Sequence, residues 1–218
     1  RMKVLFLYPN TDGYFRCPVG LTLIMTILAK EGHDVKVFDT TFMASAENVD
    51  TKLREKSGQV KYIPMDHLYN KQSEKEIISS WIGAIQDFKP DLIAASILED
   101  AYPFCGKFLD AAKKKFTIPI VVGGVTPTIS PKVVMEHPSI DMVVQGEGEV
   151  AFKELMVTLK NKTPLSEVPN LWYKDDKGKI EKIETDCVLA FYGLIMKLGP
   201  IAEWGLNLDK KHIPVTTS

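Results

Sequence analysis

Short apolar runs alternate along the chain with longer segments of helical periodicity. The runs are VLFLYP, VKVFD, DLIAASIL, IPIVVGG and DMVVQGEG. Each is continuously apolar rather than alternating, which is typical of strands buried on both faces of a sheet. Between them, apolar residues recur at helical spacing in PVGLTLIMTILAKEGHD, SEKEIISSWIGAIQDFKPD, AYPFCGKFLDAAKKKF and GEVAFKELMVTLKN, and SPKVVMEHP predicts a further short helix.

Strands that alternate with helices predict a doubly wound α/β fold. Parallel neighbouring strands need a crossover connection, which a helix supplies and which is right-handed. The sequence therefore predicts a Rossmann-like domain with a five-stranded parallel sheet.

Composition and charge exclude several classes of partner. The chain has 218 residues, with 27 Lys and Arg against 28 Asp and Glu, so net charge favours neither nucleic acid nor an anionic membrane. No apolar run reaches the length of a membrane span, and the opening RMKVLFLYPN is too brief for a signal peptide. We expect a cytoplasmic protein.

Glycine and polar residues collect directly after the predicted strands. The first strand leads into YPNTDGYFRCPVG, the third ends in SILED, the fourth in GGVTPT and the fifth in QGEGE. Ligands of such sheets bind at the carboxyl ends of the strands, where glycine permits either a tight turn or close approach of a ligand. Two glycine-rich exits, together with the small Ser96 in an apolar strand, favour a large ligand.

Common nucleotide sites fit this sequence poorly. A dinucleotide fold needs G-x-G-x-x-G after the first strand, but Gly13 and Gly20 are seven residues apart. The G-K-[ST] of a phosphate loop is missing, and a flavodoxin-like flavin site needs more Ser and Thr than the single Thr of NTDGYFRC. A sugar-nucleotide transferase half-domain can begin similarly, with GHDV after its first helix, but it requires a second lobe.

Four segments in order resemble a known family. VLFLYPN, PVGLTLIMTILAKEGHDVKVFD, KPDLIAASI and IPIVVGGVTPTISPKVVMEHPSIDMVVQGEGEVAFKEL resemble the N-terminal cobalamin-binding domain of cobalamin-dependent radical S-adenosylmethionine enzymes. VPNLWYKDDKGKIEK resembles the short hairpin that follows this domain. The resemblance implies a cobalamin-binding domain over residues 1–160 and an extension of hairpin, helix and linker over residues 161–218.

The resemblance also implies a binding mode. The nucleotide tail of cobalamin would enter the sheet edge between the third, fourth and fifth strands, with Ser96 hydrogen bonding and Leu98 packing against its dimethylbenzimidazole. The corrin ring would rest over the first loop, and Gly124→Leu should then impair cobalamin retention far more than folding. The implied cofactor-binding residues are Tyr8, Pro9, Asn10, Gly13, Cys17, Pro18, Gly20, Ser96, Ile97, Leu98, Glu99, Gly123, Gly124, Val125, Thr126, Pro127, Gln145, Gly146, Glu147, Gly148 and Glu149.

No histidine is predicted to bind cobalt. Related cobalamin mutases and methionine synthases carry D-x-H-x-x-G in the first loop, and its histidine coordinates the metal. None of the four histidines here has these neighbours: His33, His67, His137 and His212. The resemblance therefore implies base-off cobalamin without a histidine ligand, and we assign no protein ligand to a metal.

The sequence lacks the radical S-adenosylmethionine signature C-x-x-x-C-x-x-C, whose thiolates would hold a four-iron cluster. Cys17, Cys105 and Cys187 are too far apart and are predicted to be reduced thiols. S-adenosylmethionine and the cluster would then belong to a missing domain or a partner chain. We expect this chain alone to be non-catalytic and to be part of a methyltransferase-type enzyme; the alternatives are a stand-alone cobalamin carrier or sensor and a flavodoxin-like nucleotide-binding domain.

The C-terminal residues are harder to interpret. TDCVLAFYGLIMKLGPIAEWGLN fits neither part of the family pattern, and its apolar residues predict a helix that packs on the domain or on a partner. NLDKKHIPVTTS weakly resembles the linker before the radical barrel.

Overall fold

The computed structural model describes residues 1–10, 18–43, 55–59, 61, 72–98, 100–175 and 178–182. The strands are β1 Lys3–Tyr8, β2 Asp34–Asp39, β3 Leu92–Ser96, β4 Ile120–Gly123, β5 Met142–Val144, β6 Leu171–Lys174 and β7 Ile180–Lys182. The helices are α1 Val19–Lys30, α2 Glu74–Phe88, α3 Tyr102–Lys113, α4 Val125–Ile129, α5 Pro131–Met135 and α6 Glu149–Asn161. The described chain belongs to one compact unit, Arg1–Glu184.

A single sheet organises the described chain in the order β2-β1-β3-β4-β5-β6-β7. The first five of these strands are parallel, as predicted, and the β6–β7 hairpin continues the sheet in antiparallel fashion. The strand order reverses between β1 and β3, which is where ligands of doubly wound sheets bind. The fold prediction is confirmed, and the hairpin extends the sheet to seven strands.

The division of the chain at residue 160 stays a prediction, and the predicted helical tail lies outside the described residues. None of the helices in the described ranges combines the length and the apolar character needed to span a bilayer. The sequence analysis assigned no helix to the residues directly after the two glycines, where the structure has the short helix α4. It begins directly after Gly124.

Each face of the sheet has its own apolar core. We call them the α2/α3 face, where Trp81 and Phe108 are fully buried, and the α1/α6 face, where Leu21 and Phe152 are buried. Because side chains alternate along a strand, the face that each strand residue occupies is fixed by its register. This alternation decides which residues can line a site at the strand ends.

Helix α2 shows how local sequence signals and tertiary contacts agree. Ser73 and Glu76 form a reciprocal capping box at its start, and Lys89 ends it in a left-handed conformation at φ 51°. The indole of Trp81 donates a hydrogen bond of 3.0 Å to the carbonyl of Phe108. The predicted apolar face is buried in full: Ile77, Trp81, Ile85 and Phe88.

Replacing Trp81 by Phe should lower the free energy of unfolding by about 1–3 kcal/mol, because it removes buried volume and leaves the Phe108 carbonyl without its donor. Urea denaturation followed by circular dichroism measures this. Ile129→Ala is the control, since that side chain is 76% exposed and should change stability by less than about 0.5 kcal/mol. Equal stabilities for wild type and Trp81→Phe would contradict the assigned role.

Candidate functional site

The carboxyl ends of the five parallel strands meet at one edge of the sheet. We call the residues directly after each strand its exit. All the described residues of the predicted site lie in or beside these exits or at the helix starts that follow them. Three predicted site residues lie outside the described residues: Gly13, Cys17 and Glu99.

Two adjacent small residues end β3 and β4. Ser96 and Gly123 are partners in the sheet register. They follow Ala94 and Val121 by two positions, so they continue the α1/α6 face. A Cβ at Gly123 would meet only the carbonyl oxygen of Val144, at an ordinary 3.9 Å. We call this pair the small-residue slot, since larger residues would otherwise fill the space at these strand ends.

Gly124 is a glycine for a different reason. Its φ is +110°, and a Cβ there would lie 2.8 and 2.9 Å from the main-chain oxygen and nitrogen of Ile97. Ile97 is held in place because its N–H donates to the Gly123 carbonyl and its own carbonyl accepts from Thr126. Any side chain at Gly124 would therefore strain the backbone and collide with it. The expectation that Gly124→Leu would spare folding is wrong.

Thr126 carries an unpaired buried hydroxyl above the end of β3. Its Oγ1 has no hydrogen-bond partner within the part of the chain that the structure describes. A buried hydroxyl without a partner costs about 1–3 kcal/mol, so such groups are rare in native proteins. The neighbouring Pro127 is buried and Val125 is 55% exposed. The geometry fits a ligand that brings a polar atom to Thr126.

The glycines after β5 serve separate purposes. Gly146 adopts φ +85° and is exposed, and its N–H donates to Oγ1 of Thr128 at 3.0 Å. Gly148 precedes α6, and a Cβ there would lie 2.8 Å from Cδ1 of Ile24 in α1. Gly148 therefore lets α1 approach α6 closely, a contact that the sequence did not indicate. Glu149 occupies the first turn of α6.

Hydrogen bonds connect the exit of β1 to the exit of β2. Asn10 is 4% exposed, and its amide donates to Oγ1 of Thr41 at 3.0 Å. Thr40 donates to the carbonyl of Asn10 at 2.8 Å, and the main-chain N–H of Thr41 donates to the Asp39 carboxylate. Sequence reasoning predicted Asn10 but missed both threonines. Their position directly after a strand that ends in Asp39 was the available signal.

Helix α1 starts beside this exit. Pro18 caps it by accepting a hydrogen bond from the Thr22 N–H, and Gly20 is exposed, so that a Cβ there would have nothing within 4 Å. Tyr8 and Pro9 are buried. Tyr8 belongs to the α1/α6 face, on the same side of the sheet as the small-residue slot.

The two described histidines lie in different places, His33 at the amino edge and His137 beside α3, where its ring centroid is 6.2 Å from that of Tyr102. His33 immediately precedes β2, and burial lowers the pKa of its imidazole. His137 lies before β5 and accepts a hydrogen bond from the Ser139 N–H. Among the described residues no group of three or more His, Cys, Asp or Glu could hold a metal ion. His67 and His212 lie outside them.

The described cysteine is unsuited to ligation. Cys105 is buried in α3, and burial raises the pKa of its thiol. A thiol kept protonated is a poor nucleophile and a poor metal ligand. Cys17 and Cys187 lie outside the described residues.

The fold and this edge define a Rossmann-like domain that is open to a ligand at the carboxyl ends of its strands. A B12-binding domain model matches residues 10–156. The chain belongs to the B12-binding domain family. The resemblance identified from the sequence is thereby confirmed.

Relatives share only parts of their length with this chain. An uncharacterized methyltransferase of Pyrococcus horikoshii is 27% identical over 190 residues, which cover 82% of this chain and 34% of the relative. A ferredoxin–NADP reductase of Pelagibacter ubique is 56% identical over only 50 residues, 23% of this chain and 15% of the reductase. The chain thus spans well under half the length of either curated relative.

A solved structure confirms the fold. The cobalamin-dependent S-adenosylmethionine radical enzyme OxsB, with aqua-cobalamin and S-adenosylmethionine bound, superposes with a TM-score of 0.62 at 20% identity. The match covers 86% of this chain and 22% of OxsB. At this identity the likeness concerns the fold alone.

Alanine at the two neighbouring glycines should lower stability to different extents. Gly124→Ala should lower the free energy of unfolding by about 1–3 kcal/mol through strain and collision with Ile97. Gly123→Ala should change it by less than about 1 kcal/mol, because its Cβ meets ordinary contact distances. Denaturant titration of the ligand-free proteins compares them. An equal loss at both positions would contradict the distinction drawn between the two glycines.

Proposed function

We propose that this chain binds cobalamin, with the nucleotide tail of the cofactor in the small-residue slot. The observation that carries the proposal is the adjacency of Ser96 and Gly123 in the sheet register, together with the buried, unpartnered hydroxyl of Thr126 three residues further along the chain. Membership of the B12-binding domain family supports cobalamin as the occupant. The residues present fit such a group, because Gly123 leaves room in the slot and the next exit residues include a buried hydroxyl without a partner.

Each exit has a part in holding the cofactor. Ser96 donates a hydrogen bond to the dimethylbenzimidazole, the half-buried Leu98 packs against it, and Gly123 leaves the space that it occupies. The Thr126 hydroxyl would gain a hydrogen-bond partner from the nucleotide tail. The main-chain N–H groups around Gly146 and Gly148 meet ribose or phosphate oxygens. The corrin ring would lie at the exit of β1, near Tyr8 to Asn10 and the start of α1 at Pro18 and Gly20.

Bound cobalamin supplies a cobalt centre for methyl transfer or related radical chemistry. The chain's own residues bind and orient it and bury its tail. Without C-x-x-x-C-x-x-C, the cluster and S-adenosylmethionine belong to another domain or chain. We therefore propose the cobalamin domain of a methyltransferase-type radical S-adenosylmethionine enzyme, supported by the named relatives. A stand-alone carrier or sensor is the alternative.

Reductase activity is not part of the proposal. The likeness to ferredoxin–NADP reductase covers 15% of that protein, which is too little to carry its chemistry over. Flavin and dinucleotide sites are disfavoured by the composition and glycine spacing of the loop after β1.

The cobalt of the bound cofactor is proposed to lack a protein imidazole. Ligands approach this fold at the carboxyl edge, whereas His33 lies at the amino edge and His137 packs beside Tyr102 on the α2/α3 face, opposite the small-residue slot. The cofactor would then be base-off, with its own dimethylbenzimidazole withdrawn into the slot.

Cobalamin retention tests the slot directly. After mixing with hydroxocobalamin and desalting, the wild-type chain should keep the corrin absorption bands, and Gly123→Leu should lose them because its side chain fills the slot. Gly83→Leu is the matched control. It makes the same substitution in α2, where a Cβ has nothing within 4 Å. If both variants retained the same amount of cobalamin at matched helicity, the proposal that the nucleotide tail occupies the slot would be wrong.

Thr126→Val should not lower the stability of the ligand-free protein, but it should weaken cobalamin binding. Removing an unpaired buried hydroxyl should leave the ligand-free protein equally stable or more stable. If the hydroxyl bonds the tail, the same variant should bind cobalamin about five- to tenfold more weakly. Unchanged affinity would show that Thr126 does not contact the cofactor.

The cobalt environment is testable by paramagnetic resonance. Bound cob(II)alamin should give a base-off spectrum without nitrogen superhyperfine splitting, since neither dimethylbenzimidazole nor imidazole is coordinated. The His→Ala variants at positions 33, 67, 137 and 212 should leave this spectrum unchanged. Triplet splitting that vanishes in one of them would identify a histidine ligand and overturn the assignment.

A further inference from the structure

One threonine bridges the exits of β4 and β5. Oγ1 of Thr128 donates to the carbonyl of Gly124 at 2.8 Å and accepts from the N–H of Gly146 at 3.0 Å. A single hydroxyl therefore satisfies main-chain groups of both glycine-rich exits. Because Gly124 and Gly146 both have positive φ, the hydroxyl holds together two turns of unusual backbone geometry.

The side chain of Gln145 joins this threonine to the hairpin. Its Nε2 donates to the main-chain carbonyl of Thr128 at 3.2 Å, and its Oε1 accepts from the indole N–H of Trp172 at 2.9 Å. An indole can only donate and a carbonyl can only accept. The two partners therefore permit one orientation of the amide, and both of its ends are used.

Trp172 is itself held firmly. It pairs with Val143 in the antiparallel register of β5 and β6, and its ring lies beneath Nζ of Lys182 at 5.5 Å from the centroid. The main-chain N–H of Gln145 also donates to the carbonyl of Asn170 at the start of the hairpin. The hairpin thus forms a fixed support for the β5 exit.

This chain of hydrogen bonds lies on the face of the sheet opposite the slot. Gln145 follows Val143 by two positions and so belongs to the α2/α3 face, whereas Ser96 and Gly123 continue the α1/α6 face. A residue on the far face is badly placed to touch a ligand in the slot. Gln145 was predicted from sequence as a cofactor contact, and its position indicates a different role.

We infer that Thr128 and Gln145 are positioning residues, fixed by Trp172, that hold the β4 and β5 exits in the geometry that binds the cofactor tail. The inference rests on the proposed cobalamin function and assigns the hairpin a part in it. Helix α4 has only five residues, too few to be stable alone, so its position depends on such contacts. Exits that are ordered in advance lose less entropy on binding.

The test measures cobalamin dissociation from the full chain at a temperature well below unfolding. Thr128→Val keeps the shape but loses both hydrogen bonds, and it should speed dissociation roughly tenfold. Thr128→Ser keeps the hydroxyl and should stay within about twofold of wild type. Trp172→Phe should speed dissociation about threefold, and the double variant should show less than the product of the two effects, since both loosen the same β5 exit, Thr128 through the Gly146 N–H and Trp172 through Gln145.

Trp81→Phe controls for stability, because it weakens the core on the α2/α3 face without touching this chain of bonds. It should leave the dissociation rate unchanged while lowering the unfolding midpoint. Should wild type fail to retain cobalamin, the proposed function fails. Should wild type retain it while Thr128→Val releases it at the wild-type rate, or should Trp81→Phe release it equally fast, the positioning role is overturned and the cofactor proposal stands.

Discussion

The main chain of Ile97 is the contact on which the binding edge depends. Its N–H donates to the carbonyl of Gly123 at 2.8 Å, and its carbonyl accepts from Thr126. This pair of bonds carries the pairing of β3 and β4 one residue beyond the sheet and turns the chain into α4. Position 124 must then be a glycine, because no side chain fits against that backbone.

The two faces of the sheet differ at this edge, since one leaves space and the other is supported by hydrogen bonds. On the α1/α6 face the strands end in Ser96 and Gly123, which leave space, and Gly148 allows the two covering helices to approach. On the α2/α3 face, hydrogen bonds link Thr128, Gln145 and Trp172. A site that is open on one side and supported on the other can admit a large ligand without losing its shape.

Sequence reasoning recovered the elements well because their signals are local. The apolar face of α2 and the strand cores follow from the pattern of hydrophobic residues, and the structure has them where they were predicted. For the exit glycines it offered only a tight turn or close approach of a ligand, and it did not foresee the different contacts that each one makes. A Cβ at Gly124 would collide with the Ile97 main chain, and a Cβ at Gly148 would collide with the Ile24 side chain. Of these three glycines, Gly123 is the one that leaves space in the slot.

The sequence by itself determined the parallel α/β fold and the family, and it indicated the carboxyl edge as the binding site proposed here, since periodicity and motif order are properties of consecutive residues. Tertiary structure alone decided which face each exit residue occupies and what it contacts. Gln145 and Trp172 are 27 positions apart and meet only because β6 pairs with β5. Strand register sets such contacts, and register is a property of the assembled sheet rather than of any segment.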